Sequence, residues 1–255
     1  MKALTRISSY VVLLGCSITS SSCARPSAPF DTAPFVRGDN VLNFNSAEED
    51  GRVSYASNNY SNGGMFRSRW STNRIRYENG IGYLSVLDQG ETNYGAEIRT
   101  HQGYLYGYFG GRIKTFKHSG TVQSIFTYNG GHYIWDEIDI EFLGKDTTHV
   151  QFNYYSNGQG NHEYWYDLGF DSSEDFHDYG FKWEEDLITW YVDFKPVYAA
   201  KAHLGQWGRF FINVWAGQPN VYNWLGHYDP TDVPLEAQYD CLYYSPIENS
   251  EFFYY

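Results

Sequence analysis

The stretch Glu137-Ile138-Asp139-Ile140-Glu141-Phe142 alternates strictly between acidic and apolar side chains. A helix would scatter both kinds around its axis, whereas a β-strand sends successive side chains to opposite faces. The run is therefore read as a strand. Ile138, Ile140 and Phe142 point into a core, and Trp135, Glu137, Asp139 and Glu141 share the other face. Three carboxylates in a row repel one another and raise the pKa of at least one member. Folding gives no reason to collect them. A solvent-facing acidic strand that guards a sheet edge is the structural alternative.

The spacing suits a particular chemistry. Residues i and i+4 on a strand have Cα atoms about 13 Å apart, at roughly 3.3 Å per residue. Each Glu carboxyl reaches about 4 Å, so two that lean together come within about 5–6 Å, against about 5–5.5 Å for retaining glycosidases and about 6.5–9.5 Å for inverting ones. Glu137 and Glu141 thus match a double displacement, which needs one ionised and one protonated carboxyl. Asp139 sits between them to tune both.

The rest of the chain supports a sheet protein. From Val41 onward, short β segments alternate with turn signals. Predicted strands include Tyr83–Leu87, Tyr104–Phe109, Gly111–Thr115, Ser124–Tyr128, Val150–Tyr155, Tyr179–Trp183, Ile188–Asp193 and Phe210–Trp215. Breaks are expected at Asn62-Gly63-Gly64, Asn79-Gly80, Gly110-Gly111, Asn129-Gly130-Gly131 and Asn157-Gly158. No long stretch holds a helical period, so an all-β sandwich or barrel follows. The 25 tyrosines fit both a sheet and a carbohydrate groove. A net charge of −12 argues against nucleic acid and anionic membranes.

Trp135 to Glu163 reads WDEIDIEFLGKDTTHVQFNYYSNGQGNHE. This resembles, without a gap, the catalytic strand and following hairpin of the lichenases, the bacterial β-1,3-1,4-glucanases of glycoside hydrolase family 16. The resemblance implies a β-jelly roll of two curved antiparallel sheets, with a mixed-linkage β-glucan in the concave one. It implies Glu137 as nucleophile, Glu141 as acid/base, Asp139 as the group that sets their pKa values, and Trp135 beside the sugar. Tyr60, Asn62 and Phe66 resemble a sugar-lining loop of lichenases. Glu97 and Arg99 match a Glu-x-Arg strand pair, Tyr128 ends a Phe-Thr-Tyr run, and Asn213 and Trp215 match an Asn-x-Trp strand. Gln151, Asn153 and Tyr155 alternate on one strand face, expected to be the groove. Hydrolysis of β-1,3-glucan, transglycosylation of xyloglucan and a non-catalytic carbohydrate-binding module are the alternatives.

No cofactor is required by this reading. The resemblance allows a structural calcium held largely by backbone oxygens; the histidines show no zinc-ligand spacing. Bacillus-type lichenases carry a disulfide near Ser68 and Gly95, absent here because neither position is cysteine. The aromatic tail after Asp229 has no counterpart in the resemblance. Residues 1–23 read as an export signal: Lys2 and Arg6 precede a short apolar stretch, and Leu13-Leu14-Gly15-Cys16 resembles a lipobox, with Cys16 as lipid anchor. Cleavage near Ser22 to Ala24 is the rival. Residues 24–40 read as an unstructured tether and 41–255 as one catalytic domain, expected to be monomeric and either secreted or anchored to the envelope.

Overall fold

The computed structural model describes residues 35, 38–42, 44, 53–56, 59–130 and 134–253. Two antiparallel layers face each other. The front layer runs, in spatial order, Val53–Tyr55, Thr92–Leu105, Gly208–Ala216, Thr121–Tyr128, Glu137–Leu143, His149–Tyr155 and Tyr164–Asp167. The back layer runs Ile75–Glu78, Ile81–Gln89, Leu235–Ser245, Gly107–Lys114, His177–Glu184, Leu187–Val192 and Lys195–Ala200. The hairpin between Ile81–Gln89 and Thr92–Leu105 joins the layers. This is the expected β-jelly roll, with one short α-helix among the described residues, Tyr222–Leu225.

Alternation fills the space between the layers. Ile138, Ile140, Phe142, Val150, Phe152, Ile125 and Ile212 point inward from the front layer. Phe109, Ile113, Tyr179, Phe181, Trp183 and Trp190 meet them from the back. Each fully buried side chain of this size contributes about 1.5–3 kcal/mol. Trp190 also donates its Nε1–H to the carbonyl of Asp139 at 3.1 Å. The acidic strand is thereby fixed from behind, while its carboxylates face away from the core.

Three expectations shift, and the place of the aromatic tail is decided. The tether does not extend to Asn40, because Asp39–Leu42 pairs with Leu242–Tyr244 and Phe35 packs edge-on to Tyr108, Tyr191 and Tyr243. The predicted Tyr104–Phe109 strand breaks at Tyr106, whose φ is +61°. Gly110 and Gly111 are no break. They lie within a strand, where Cβ atoms would come within 2.5 Å of the Tyr243 ring and 2.8 Å of Leu242. The tail is built into the sandwich. Leu235–Ser245 is an inner strand of the back layer, and Glu251–Phe253 pairs with the front-layer edge at Gly103–Leu105. The signal and Cys16 lie outside the described residues.

Candidate active site

Strand register decides which side chains share the outer face of the front layer. Glu141 lies between Gln151 and Ser124, and the row continues through Asn213 to Glu97. Asp139 lies between Asn153 and Phe126, followed by Phe211 and Arg99. Glu137 lies between Tyr155 and Tyr128, followed by Arg209. No bulge interrupts the acidic strand on either side, so the i, i+4 relation of Glu137 and Glu141 holds as on a regular strand. These rows form the floor of a cleft of about 1070 Å³. Trp135, Tyr60, Asn62, Phe66 and Trp215 stand on its walls. Every site residue named from the sequence therefore lines this one cleft.

Each acid has its own setting. Glu137 Oε2 accepts a hydrogen bond from Trp135 Nε1 at 2.6 Å, and the Trp135 ring lies parallel to Tyr155 with centroids 4.4 Å apart. Glu141 Oε2 accepts from Gln151 Nε2 at 2.7 Å. The oxygen of Gln151 accepts from Trp224 Nε1 at 3.0 Å, which fixes which end of the amide faces Glu141. Asp139, only 6% exposed, hydrogen-bonds Glu137.

Burial dominates the electrostatics. It pushes Glu137 from 4.5 up to about 7, while hydrogen bonds from Trp135 and Asp139 restrain the rise. Burial and then the Glu137 charge push Glu141 up to about 8, against the hydrogen bond from Gln151. Burial, followed by both flanking glutamates, raises Asp139 well above its usual range. Three carboxyls this close cannot all ionise. Glu137 ionises before Glu141, and a protonated Asp139 donates to it. The order follows from donors: Glu137 has two, and Glu141 has one and feels the charge of Glu137.

Floor and walls offer partners for hydroxyl groups. Buried Glu97 is pushed up to about 7 by desolvation; Asn213 donates to it at 3.4 Å and Arg99 stands 3.8 Å away. Arg99 also donates to Ser54 Oγ at 3.3 Å. Asn62 is held by Trp70 Nε1 at 3.0 Å, and Phe66 packs on Trp215 at 4.2 Å between centroids. Asn153 Oδ1 is buried with no hydrogen-bond partner on the cleft floor.

Sequence reasoning missed Ser124, Glu163, Trp165, Trp207, Arg209 and Trp224 as cleft residues. Ser124 and Arg209 follow by alternation from Tyr128 and Asn213, so that signal was present. Trp207 and Trp224 lie outside the strands, and only the tertiary path brings them in. Among the described residues, no three His, Cys, Asp or Glu side chains converge as metal ligands. A calcium there would have to rely on carbonyls.

Residues 62–229 match the family model of glycosyl hydrolases family 16. A β-glucanase of Brevibacillus brevis is 42% identical over 198 residues, covering 74% of this chain and 76% of that protein. The Bacillus licheniformis β-glucanase structure superposes with a TM-score of 0.77 at 40% identity, covering 81% of this chain and 97% of that one. A prokaryotic β-1,3-1,4-glucanase (lichenase) from a mouse hindgut metagenome gives 0.76 at 44% identity, covering 80% and 97%.

Proposed function

The chain belongs to glycosyl hydrolases family 16, and from that premise we propose that it is a retaining endo-β-glucanase cleaving mixed-linkage β-1,3-1,4-glucan. The observation that carries the reading is the acidic strand itself. Its carboxyls share one face of an uninterrupted strand, open to an aromatic-walled cleft, and the donors to Glu137, with its charge beside Glu141, separate the two ionisations. Relatives at 40–44% identity that carry the names β-glucanase and lichenase support the substrate class.

In the first step the Glu137 carboxylate attacks the anomeric carbon. The bond to the leaving oxygen breaks as that oxygen takes the proton of Glu141. A glycosyl ester on Glu137 results. Glu141, now ionised, removes a proton from water; the water oxygen attacks the same carbon and Glu137 leaves. Two inversions give net retention. Asp139 keeps its proton and holds Glu137 in place between the steps.

The test is product analysis on barley-type mixed-linkage glucan, laminarin and xyloglucan side by side, with NMR of the first-formed anomer. Retained product from mixed-linkage glucan is expected. Inverted product would refute the role of Glu137. Preference for laminarin or for a sugar acceptor would move the assignment to a β-1,3-glucanase or a transglycosylase, and binding without turnover to a carbohydrate-binding module. Glu137→Gln should abolish turnover, and azide should rescue Glu137→Ala by forming a glycosyl azide.

The positive, then apolar, N-terminal stretch supports export, with Cys16 as lipid anchor. Cell fractionation of wild type against Cys16→Ser tests this, since an anchored enzyme should move from the membrane fraction to the soluble one. Sizing in solution tests the monomer.

A further inference from the structure

Among the described residues, the aromatic C-terminal tail meets the cleft through Trp207. Glu251–Phe253 adds a strand to the front layer, with Phe253 opposite Gly103 and Phe252 opposite Tyr104. Arg209 lies opposite Gly103 from the other side. The row that begins with Tyr155, Glu137 and Tyr128 is thereby extended through Arg209 and Gly103 to Phe253.

Trp207 sits two residues before Arg209, half-buried, and lines the cleft. The Phe253 ring stacks on it, with centroids 5.6 Å apart and planes 28° apart. Gly103 lies under the same indole. A Cβ there would come within 2.6 Å of Trp207 Cε3, so any larger residue displaces the ring. The loop leading to Trp207 is tied to the catalytic strand, because Asp136 Oδ2 accepts from the backbone N–H groups of Gly205 and Gln206 at 3.0 Å each. The tail is held independently: Ser250 Oγ donates to the Tyr106 carbonyl at 3.2 Å, and Phe252 packs edge-on to Tyr104 and Tyr244.

A β-linked glucosyl ring presents axial C–H faces, which pack flat against an aromatic ring in a partly desolvated cleft. A fixed indole loses little conformational freedom when a sugar lands on it, so its contact energy appears as affinity. We propose that Trp207, backed by Phe253, is a sugar-stacking platform for a glucosyl unit remote from the bond being cleaved. The tail thereby lengthens the stretch of polymer that the enzyme recognises. This rests on the β-glucanase reading of the cleft.

The experiment measures binding of mixed-linkage gluco-oligosaccharides of increasing length to Glu137→Gln protein, by calorimetry, alongside hydrolysis of polymer by the corresponding active enzymes. On the Glu137→Gln background, Trp207→Ala should weaken the longest oligosaccharides about tenfold and the shortest far less. Trp207→Tyr should recover most of that loss. Phe253→Ala and Gly103→Ala, which disturb the ring from beneath, should give intermediate losses with the same length dependence. In active enzyme Trp207→Ala should raise KM for polymer about tenfold with a smaller change in kcat. Equal weakening at all lengths, or none, overturns the platform while the enzyme still cleaves β-glucan. If the otherwise wild-type enzyme cleaves no β-glucan, the broader reading fails instead. Near-ultraviolet circular dichroism separates a misfolded variant from a lost contact, and Trp207→Tyr keeps the test decisive if Trp207→Ala does not fold.

Discussion

At the scale of residues, the cleft turns burial into a proton ladder. kcat/KM should be bell-shaped, because turnover needs Glu137 ionised and Glu141 protonated. The acid limb should fall near 7 as Glu137 takes up a proton, and the alkaline limb near 8 as Glu141 loses one. A pH profile on soluble substrate checks this; a flat profile from 5 to 9 would contradict it. Gln151 stabilises the ionised form of Glu141, so its loss favours the protonated form. Gln151→Leu should therefore move the alkaline limb to higher pH, and Trp224→Phe, which frees the amide of Gln151, should do so more weakly. A downward shift in either variant would contradict the hydrogen-bond assignment.

At the scale of elements, the front layer is held by polar contacts at the pair where the resemblance would place a disulfide. Ser68 and Gly95 are neighbours here: a Cβ on Gly95 would lie 3.1 Å from Ser68 Cβ, yet only 2.4 Å from the Val214 carbonyl. A disulfide at this pair would need the backbone to move. Instead, the buried Ser68 hydroxyl donates to Asn93 Oδ1 and accepts from the Ala216 N–H at 2.8 Å. Ser68→Ala strands both partners and should cost about 1–3 kcal/mol, read as a lower denaturant midpoint at unchanged slope. Trp190→Phe removes the bond to the Asp139 carbonyl and leaves a small void in the core, and should cost at least about 1 kcal/mol. An unchanged midpoint in both would mean that these bonds do not hold the layer.

At the scale of the molecule, the carboxyls that serve the site oppose folding. The folded state raises Glu141 from 4.5 to about 8, so the native protein binds the proton more tightly than the unfolded chain does. Stability from this group is full below about 4.5, declines as pH rises, and reaches its low plateau above about 8. Glu141→Gln removes that dependence. It should be more stable than wild type at pH 9, by up to about 5 kcal/mol, and about equal at pH 4. Melting curves at the two pH values check it, and a variant less stable at pH 9 would refute the burial argument.

What the sequence determined by itself was local. Strict alternation fixed the acidic strand, its faces and the spacing of Glu137 and Glu141, because a strand's side chains repeat every two residues whatever surrounds it. Asn79-Gly80 and Asn157-Gly158 announced turns, since each pair adopts positive φ at both residues. Other features were decided only by tertiary structure. Gly110 and Gly111 look like turn residues but exist for close packing, which depends on what lies opposite them. Phe35, Trp207, Trp224 and Phe253 gain their places from chain segments far away in sequence. Register fixes a row only after the strands have chosen neighbours, and that choice belongs to the whole sandwich rather than to any one strand.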